Sequence, residues 1–406
     1  MTAIELLTSR SGASAKQFEP YFRYSTAARI VGARICAVGT EATAARYSGR
    51  DAEAWKEVNN ILRITTADGY EGVSGVDSYS QGEYGNEHFQ ALRGVVADLA
   101  ALRSLDPVAV GAMLERTRPE LSDELRSSID IALWDLAARK ANLPLYQLLG
   151  GKRDSIEPYA SLPFYDSLAD YIDAVNEYAA LGYRVFKFHV WGAIEEDMKL
   201  VKETQRVFAD SGYRFMIDLE EAYDLDDALR LGEQMDEGLF VWLEGPIDDE
   251  RLEQYAELRK RLELQIVPAG YRIYSSDFLA SGIGAGAWDA GRFDATVVGG
   301  ISRALGLLGI ADDAGLAIEI QSWGYSLAQA VNLHLMLANE RTRYFESPMP
   351  REAFEFGMKN GILLEQGRVL APREPGLGVV VDWDRLGAAD FHVCAEIDLS
   401  DSQEWQ

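Results

Sequence analysis

Short apolar runs alternate with amphipathic stretches along the chain from about residue 156 onward. Apolar runs of this length, bounded by turn residues, predict buried parallel strands, and the amphipathic stretches between them predict helices. Eight strands are predicted, at Ile156–Ala160, Val185–Val190, Phe215–Leu219, Phe240–Glu244, Gln265–Ala269, Ala295–Val298, Ala317–Gln321 and Thr342–Phe345. Helices are predicted between them, for example at Leu168–Leu181, Glu195–Asp210, Leu252–Leu262, Arg303–Ala314 and Leu327–Asn339. This alternation indicates an α/β chain built around a modified (β/α)8 TIM barrel.

The region before the barrel has a different pattern. Strands are predicted at Ile30–Val38, Ile61–Thr66 and Tyr70–Val76, followed by helices at Glu87–Leu102, Val108–Arg116 and Glu124–Ala141. An antiparallel sheet followed by helices is typical of an α+β domain. We therefore divide the chain into an α+β domain at 1–125 (with an extension at 1–29), a barrel at 126–365, and a tail at 366–406 that returns to the first domain. The glycine-rich run at 282–291 is interpreted as a flexible connection near the barrel mouth.

Composition narrows the class of protein. The net charge of −26 argues against nucleic acid or an anionic membrane as partner, but it leaves a small anionic substrate possible. Cys36 and Cys394 are the two cysteines, which gives no disulfide framework and fits a reducing cytosol. No apolar run reaches the roughly 18 residues that a membrane span needs, and no secretory signal is recognised. A cytoplasmic protein is expected.

Charged residues lie at the ends of several predicted strands. Asp218 ends one apolar run and Glu244 ends the next, so both are expected at the carboxyl edge of the barrel, where ligands bind. Either acid alone is more often a loop or helix-cap residue; the pair favours a metal site, and oxygen donors of this kind suit Mg²⁺. Lys187 and His189 alternate with apolar neighbours and therefore point the same way. A lysine buried among apolar residues needs an anion nearby.

Several segments resemble the enolase superfamily, in its mandelate racemase/muconate lactonizing enzyme branch. They read IDIALWDLAARKANLPLYQLLGG, FKFHV, MIDLEEAYD, WLEGPIDDERLEQYAELR, FDATVVGGISRALGLLGIADDAGL and RYFESP, in order over roughly residues 30 to 385. The resemblance implies an α+β capping domain, formed by the N-terminal region and the C-terminal tail, over the barrel. It also implies Mg²⁺-assisted removal of a proton alpha to a carboxylate through an enediolate, with a homo-oligomer as the common assembly.

The resemblance assigns roles to residues of this chain. Lys187 matches the lysine that neutralises the substrate carboxylate, and His189 stands at the position of the lysine base. Histidine can serve as a base near neutral pH. Asp294 matches the aspartate of a His-Asp dyad, and Glu346 matches the acid that hydrogen-bonds the substrate carboxylate. For Glu346, a salt bridge at the barrel rim is the structural alternative.

The chain also departs from the family pattern. Asp218 and Glu244 match the first two metal ligands, but Tyr271 stands where the third acid is expected. A phenol is a poor Mg²⁺ ligand, so Glu220, waters or substrate oxygens would have to compensate; equally, the site could bind metal weakly or not at all. No histidine lies near Ser322 or Trp323, where the dyad partner belongs. Gln321, Trp323 and Tyr271 are expected to line the substrate pocket, and Tyr47 and Arg50 are candidate capping-loop residues.

These observations lead to one principal hypothesis and two alternatives. The principal hypothesis is a Mg²⁺-dependent hydro-lyase that dehydrates an aldonate or aldarate by proton abstraction alpha to its carboxylate. One alternative is an epimerase or cycloisomerase on the same scaffold. The other is a metal-free member of the family that binds a carboxylate ligand without catalysis, and the absent dyad histidine and Tyr271 are its evidence.

Overall fold

A computed structural model describes residues 28–45, 55–77, 84–102, 104–270, 273 and 275–399. Tyr47, Arg50 and Tyr271 lie outside these ranges. The strands are β1 (Ile30–Ala45), β2 (Trp55–Thr66), β3 (Glu71–Asp77), β4 (Ser155–Leu162), β5 (Val185–His189), β6 (Arg214–Asp218), β7 (Phe240–Glu244), β8 (Gln265–Val267), β9 (Ala290–Phe293), β10 (Ala317–Ile320), β11 (Tyr344–Pro348), β12 (Leu364–Glu365), β13 (Arg368–Leu370) and β14 (Phe391–Asp398).

The helices of the described ranges are α1 (Asn86–Ala100), α2 (Pro107–Thr117), α3 (Asp123–Lys140), α4 (Leu145–Leu148), α5 (Leu168–Ala180), α6 (Ile194–Phe208), α7 (Leu225–Gly232), α8 (Leu252–Arg261), α9 (Ser276–Ala285), α10 (Ile301–Ala314), α11 (Ser326–Ala338), α12 (Arg351–Phe354) and α13 (Trp383–Leu386). Within these ranges, no helix combines the length and the apolar character that crossing a bilayer requires.

The first domain is an antiparallel sheet covered by helices. Its strand order is β14-β1-β2-β3, so the last strand of the described chain pairs with the first. Helix α3 packs on β3, and the predicted domain boundary between residues 125 and 126 falls inside this helix. Asp135 of α3 accepts hydrogen bonds from the backbone N–H of Val73 and of Leu377, which ties the sheet, the helix and the C-terminal segment together.

The two cysteines correct an expectation from the sequence. Cys36 of β1 stands directly opposite Cys394 of β14 in the strand register, and the two form a disulfide. The prediction of no disulfide was wrong because the cysteines are far apart in the chain and only the pairing of the terminal strands brings them together.

The second domain is the predicted (β/α)8 barrel. Strands β4 to β8 pair in parallel, β9 pairs with β10, and β11 closes the barrel by pairing with β4. The register places His189 beside Asp218, and Asp218 beside Glu244, at the carboxyl ends of β5, β6 and β7. Below this row, the interior of the barrel is filled by a small cluster that includes Tyr159, Trp242 and Tyr344.

The sixth barrel strand was predicted in the wrong place. It runs from Ala290 to Phe293, and the apolar run at 295–298 forms a turn after it. The glycine-rich run at 282–291 is likewise not a flexible connection: its first part ends helix α9 and its last part begins β9. Gly282 lies so close to the buried Trp288 that a Cβ atom would stand 2.0 Å from the indole ring, which explains a glycine there.

Candidate active site

Acidic and basic side chains converge inside the carboxyl end of the barrel. Lys187, Asp218, Glu244, Arg292 and Glu346 come from five strands, and all are buried. Among the described residues, Lys187 and Arg292 are the two lysine or arginine side chains that are buried. Burying five ionised groups is costly unless they pair with one another, so their contacts decide the chemistry of the site.

Lys187 is shared by three carboxylates. Its Nζ lies 2.8 Å from Asp218 Oδ2, 3.2 Å from Glu244 Oε1 and 2.8 Å from Glu346 Oε1. Burial alone would lower the pKa of Lys187, but the three anions outweigh it and raise that pKa well above its usual value. The ammonium is therefore charged at any physiological pH.

Arg292 is the functional candidate that the sequence analysis missed. It projects from β9 into the barrel, with Nε 2.6 Å from Glu244 Oε1 and Nη2 3.1 Å from Glu346 Oε2. Nη2 also donates a hydrogen bond to the hydroxyl oxygen of Tyr159 at 3.0 Å. Its guanidinium carbon lies 5.9 Å from the centre of the Trp242 ring, within the range of a cation–π contact.

The carboxylates differ in their ionisation because three of them share two cations. For Glu346, burial is opposed by Lys187 and Arg292, which together lower its pKa to about 2. For Asp218, burial is outweighed in the same way by Lys187 and His189, and its pKa is lowered. For Glu244, burial prevails over Arg292, and its pKa is raised to about 8. The raised pKa of Glu244 favours its protonated form and so reduces the negative charge of this cluster.

His189 stands at the rim of this cluster with a defined tautomer. Its Nδ1 lies 2.7 Å from the carbonyl oxygen of Leu162, and since a carbonyl can only accept, Nδ1 carries the proton. The basic nitrogen is therefore Nε2, which lies 3.5 Å from Asp218 Oδ2 and 3.6 Å from Glu220 Oε1. Burial and the charge of Lys187 lower the pKa of His189, so the imidazole is neutral at pH 7.

The position of the predicted dyad is occupied by a different set of groups. Asp294 is buried and accepts hydrogen bonds from Asn332 Nδ2 and from the backbone N–H of Thr296, both at 2.7 Å. Trp323 donates its indole N–H to Glu57 Oε2 of the first domain at 2.9 Å. Burial raises the pKa of Glu57 to about 8 despite this hydrogen bond. The one sequence signal for Glu57 is an acid directly before the segment VNNIL of strand β2.

The remaining predicted residues lie around the mouth. The Trp323 ring centre is 5.9 Å from that of His189. Gln321 donates its side-chain amide to the carbonyl of Ala269 at 3.2 Å. Glu220 follows β6 in a left-handed backbone conformation (φ 49°), which is unusual for glutamate and directs its side chain to the rim beside His189.

The described donors do not form the cage that Mg²⁺ prefers. Lys187 Nζ sits between Asp218 and Glu244, and both oxygens of Glu244 already have partners, the second one accepting from Trp242 Nε1 at 3.1 Å. A divalent ion about 4 Å from the Lys187 ammonium is repelled by about 8 kcal/mol at an effective dielectric constant of about 20, which cancels the attraction of one carboxylate at the same distance. His189, Asp218 and Glu220 do come within 4.8 Å of one another, but an imidazole ligand suits transition metals better than Mg²⁺.

Segments of both domains match models of known protein families. Residues 54–150 match the model described as the mandelate racemase/muconate lactonizing enzyme N-terminal domain, and residues 170–385 match the one described as enolase C-terminal domain-like. The L-talarate/galactarate dehydratase of Salmonella typhimurium is 28% identical over 338 residues, 78% of this chain and 79% of that protein. The L-Lys-D/L-Arg epimerase of Methylococcus capsulatus is 27% identical over 80% of this chain and 92% of that protein.

Solved structures share the fold. A protein from Pseudovibrio sp. described as a mandelate racemase/muconate lactonizing enzyme superposes with a TM-score of 0.85 at 31% identity, covering 92% of this chain and 100% of that one. A variant of the Salmonella dehydratase, described as liganded with Mg and L-glucarate, superposes with a TM-score of 0.78 at 24% identity. That match covers 91% of this chain and 94% of the other.

Proposed function

Because this chain belongs to the mandelate racemase/muconate lactonizing enzyme branch of the enolase superfamily, we propose that it is a hydro-lyase that dehydrates a sugar acid. The substrate is an aldonate or aldarate with hydroxyl groups on C2 and C3. The reaction begins with removal of the C2 proton, alpha to the carboxylate. The dehydratases among the relatives support the reaction class, while the epimerase shows that the scaffold alone does not decide it.

The observation that carries this proposal is the orientation of His189. The hydrogen-bond geometry at Nδ1 leaves the lone pair on Nε2, and the lowered pKa keeps the imidazole neutral. A neutral imidazole with a fixed basic nitrogen at the barrel mouth is suited to abstract a proton. Lys187 and His189 Nε2 both lie beside Asp218, so the ammonium places positive charge near the base, where it would stabilise an enediolate.

His189 is sufficient for both proton transfers. Nε2 takes the C2 proton, and the electrons of the C–H bond form the enediolate. The C3–O bond then breaks, and the imidazolium returns its proton to the departing hydroxyl group as water. The resulting enol tautomerises to a 2-keto-3-deoxy acid. Glu346 does not deliver this proton, since its pKa of about 2 leaves it ionised at neutral pH.

The Mg²⁺ that the sequence predicts at Asp218, Glu244 and Glu220 stays a prediction. It is supported by the structure of the Salmonella dehydratase variant, which holds Mg. It is opposed by the contacts of Lys187 and Arg292 with the same carboxylates, so no step above depends on a metal. A cytoplasmic homo-oligomer also stays a prediction from the sequence, and the Cys36–Cys394 disulfide removes one argument for a reducing compartment.

A screen of acid sugars tests the proposed function. The full chain is incubated with a library of aldonates and aldarates, and keto-acid formation is measured with semicarbazide. We expect turnover of at least one acid and its loss in His189→Gln, because general-base catalysis contributes roughly 10²- to 10⁴-fold. Solvent deuterium at C2 of recovered substrate without keto acid would instead favour the epimerase alternative. No change in any acid would favour the non-catalytic alternative.

A further inference from the structure

Arg292 is placed where it cannot serve an ordinary structural role at the surface. Its side chain is 0% exposed, and it lies against the apolar cluster inside the barrel that contains Tyr159 and Trp242. A buried guanidinium is retained only where it is paired, and here it bridges Glu244 and Glu346. Those two acids were assigned by resemblance to metal binding and to substrate carboxylate binding.

Lys187 and Arg292 form one continuous cation pair. Glu244 Oε1 contacts both of them, at 3.2 Å from Lys187 Nζ and at 2.6 Å from Arg292 Nε. Glu346 uses one oxygen for each cation. Asp218 adds a contact to Lys187 only. The three carboxylates are thus cross-linked by two fixed positive charges, which is the electrostatic task of a divalent cation in an acidic cage.

We propose that Arg292 and Lys187 together occupy the position of the divalent cation, so that this site is assembled without bound metal. Arg292 is a positioning residue: it acts through Glu244 and Glu346, which hold Lys187 beside the base. Its role in turnover rests on the proposed function, whereas the metal-binding part of the inference rests on the ion pairs alone.

Magnesium titration of the metal-stripped full chain tests the inference. After EDTA treatment and buffer exchange, Mg²⁺ and then Mn²⁺ are titrated by calorimetry, and Tm is followed at each concentration. We expect no saturable heat and no metal-dependent rise in Tm for the wild-type chain. Saturable binding that disappears in Asp218→Asn would overturn the inference.

Arg292→Met is the variant in which we expect Mg²⁺ binding to appear. This change removes one of the two cations and leaves an acidic cage, so Tm should fall. A saturable Mg²⁺-binding heat that the wild type lacks should appear, and Mg²⁺ should partly restore Tm. Arg292→Lys keeps the charge and should remain unresponsive to Mg²⁺. A loss of Tm in Arg292→Met with no gain of Mg²⁺ binding would show that Arg292 is merely structural and would overturn the inference.

A matched control distinguishes the effect of losing any buried ion pair from the effect of losing the ion pairs of Arg292. Arg343 Nε pairs at 2.6 Å with the buried Glu319, and Arg343 immediately precedes β11 at the amino end of that strand. Arg343→Met should lower Tm without creating Mg²⁺ binding. If Arg292→Met does not fold, the wild-type titration decides alone. Keto-acid formation that requires Mg²⁺ would refute the inference but leave the proposed function intact. Absence of both turnover and metal binding would refute the proposed function but leave the inference intact.

Discussion

Replacing Lys187 by methionine tests the charge arrangement of the site most sharply. The substitution keeps an unbranched apolar side chain but removes the ammonium that lies within 3.2 Å of three buried carboxylates. Removing one partner of a buried ion pair typically costs about 3–5 kcal/mol, since the remaining charge is left uncompensated. The resemblance alone would predict loss of turnover with an intact fold; the structure predicts a large loss of stability as well.

The pKa of Glu346 gives an independent magnitude. Lys187 and Arg292 lower it from 4.5 to about 2, and a shift of this size corresponds to about 3 kcal/mol of stability at neutral pH. Because the folded-state pKa is depressed, this stability is present above pH 4.5 and is lost as the pH falls toward 2. The difference between wild type and Lys187→Met should therefore be largest at neutral pH and shrink as the pH falls through this window.

Urea unfolding of both proteins at pH 7 and at a pH between 4.5 and 2, inside this window, measures this difference. Lys140→Met is the matched control, since Lys140 pairs with Asp68 at 2.6 Å on the surface, where such pairs contribute about 1 kcal/mol or less. We expect a loss of about 3–5 kcal/mol for Lys187→Met and about 1 kcal/mol or less for the control at pH 7. A Lys187→Met loss no larger than the control, or one that grows as the pH falls, would refute the reasoning.

Three further predictions concern other parts of the molecule. The value of kcat/KM should rise with pH through an apparent pKa below 6.5 and then level off, because His189 must be neutral and its pKa is lowered. An apparent pKa above 6.5 for this rise would contradict the prediction. Asp135→Asn should cost about 1–3 kcal/mol in urea unfolding, because one of the backbone N–H groups that it binds loses its acceptor; an unchanged midpoint would contradict this. Gly282→Ala should cost about 1–3 kcal/mol by overpacking Trp288, whereas Gly284→Ala, with no atom within 4 Å of its Cβ position, should not destabilise; equal melting shifts would contradict this.

The sequence was sufficient to predict the barrel and one wall of the site. The strand VFKFH alternates so regularly that the shared direction of Lys187 and His189 could be predicted, and Asp218 and Glu244 each end an apolar run. These cues are local, because strand periodicity and strand ends can be recognised without knowing which elements are neighbours.

The other wall could not be predicted, for two physical reasons. Residues 290–293 read AGRF, which lacks an apolar run, so the strand was placed on the following residues and Arg292 was not recognised as pointing inward. A charged residue inside a barrel strand becomes stable only through Glu244 and Glu346, which come from distant segments. Glu57 reaches Trp323 across the interface between the two domains, which strand periodicity does not specify.

Two residues bear on the metal site that the family resemblance implies. The first is Tyr271, which stands where the resemblance implies a third acidic ligand. The second is Arg292, which pairs at 2.6 Å with Glu244, the residue matched to the second metal ligand.

The rate of keto-acid formation by the metal-stripped chain, measured with EDTA present and again with Mg²⁺ restored, tests the account most directly. We predict the same rate under both conditions for whichever sugar acid is turned over, because Lys187 and Arg292 are already in place. A rate that is abolished by EDTA and restored by Mg²⁺ would contradict the account.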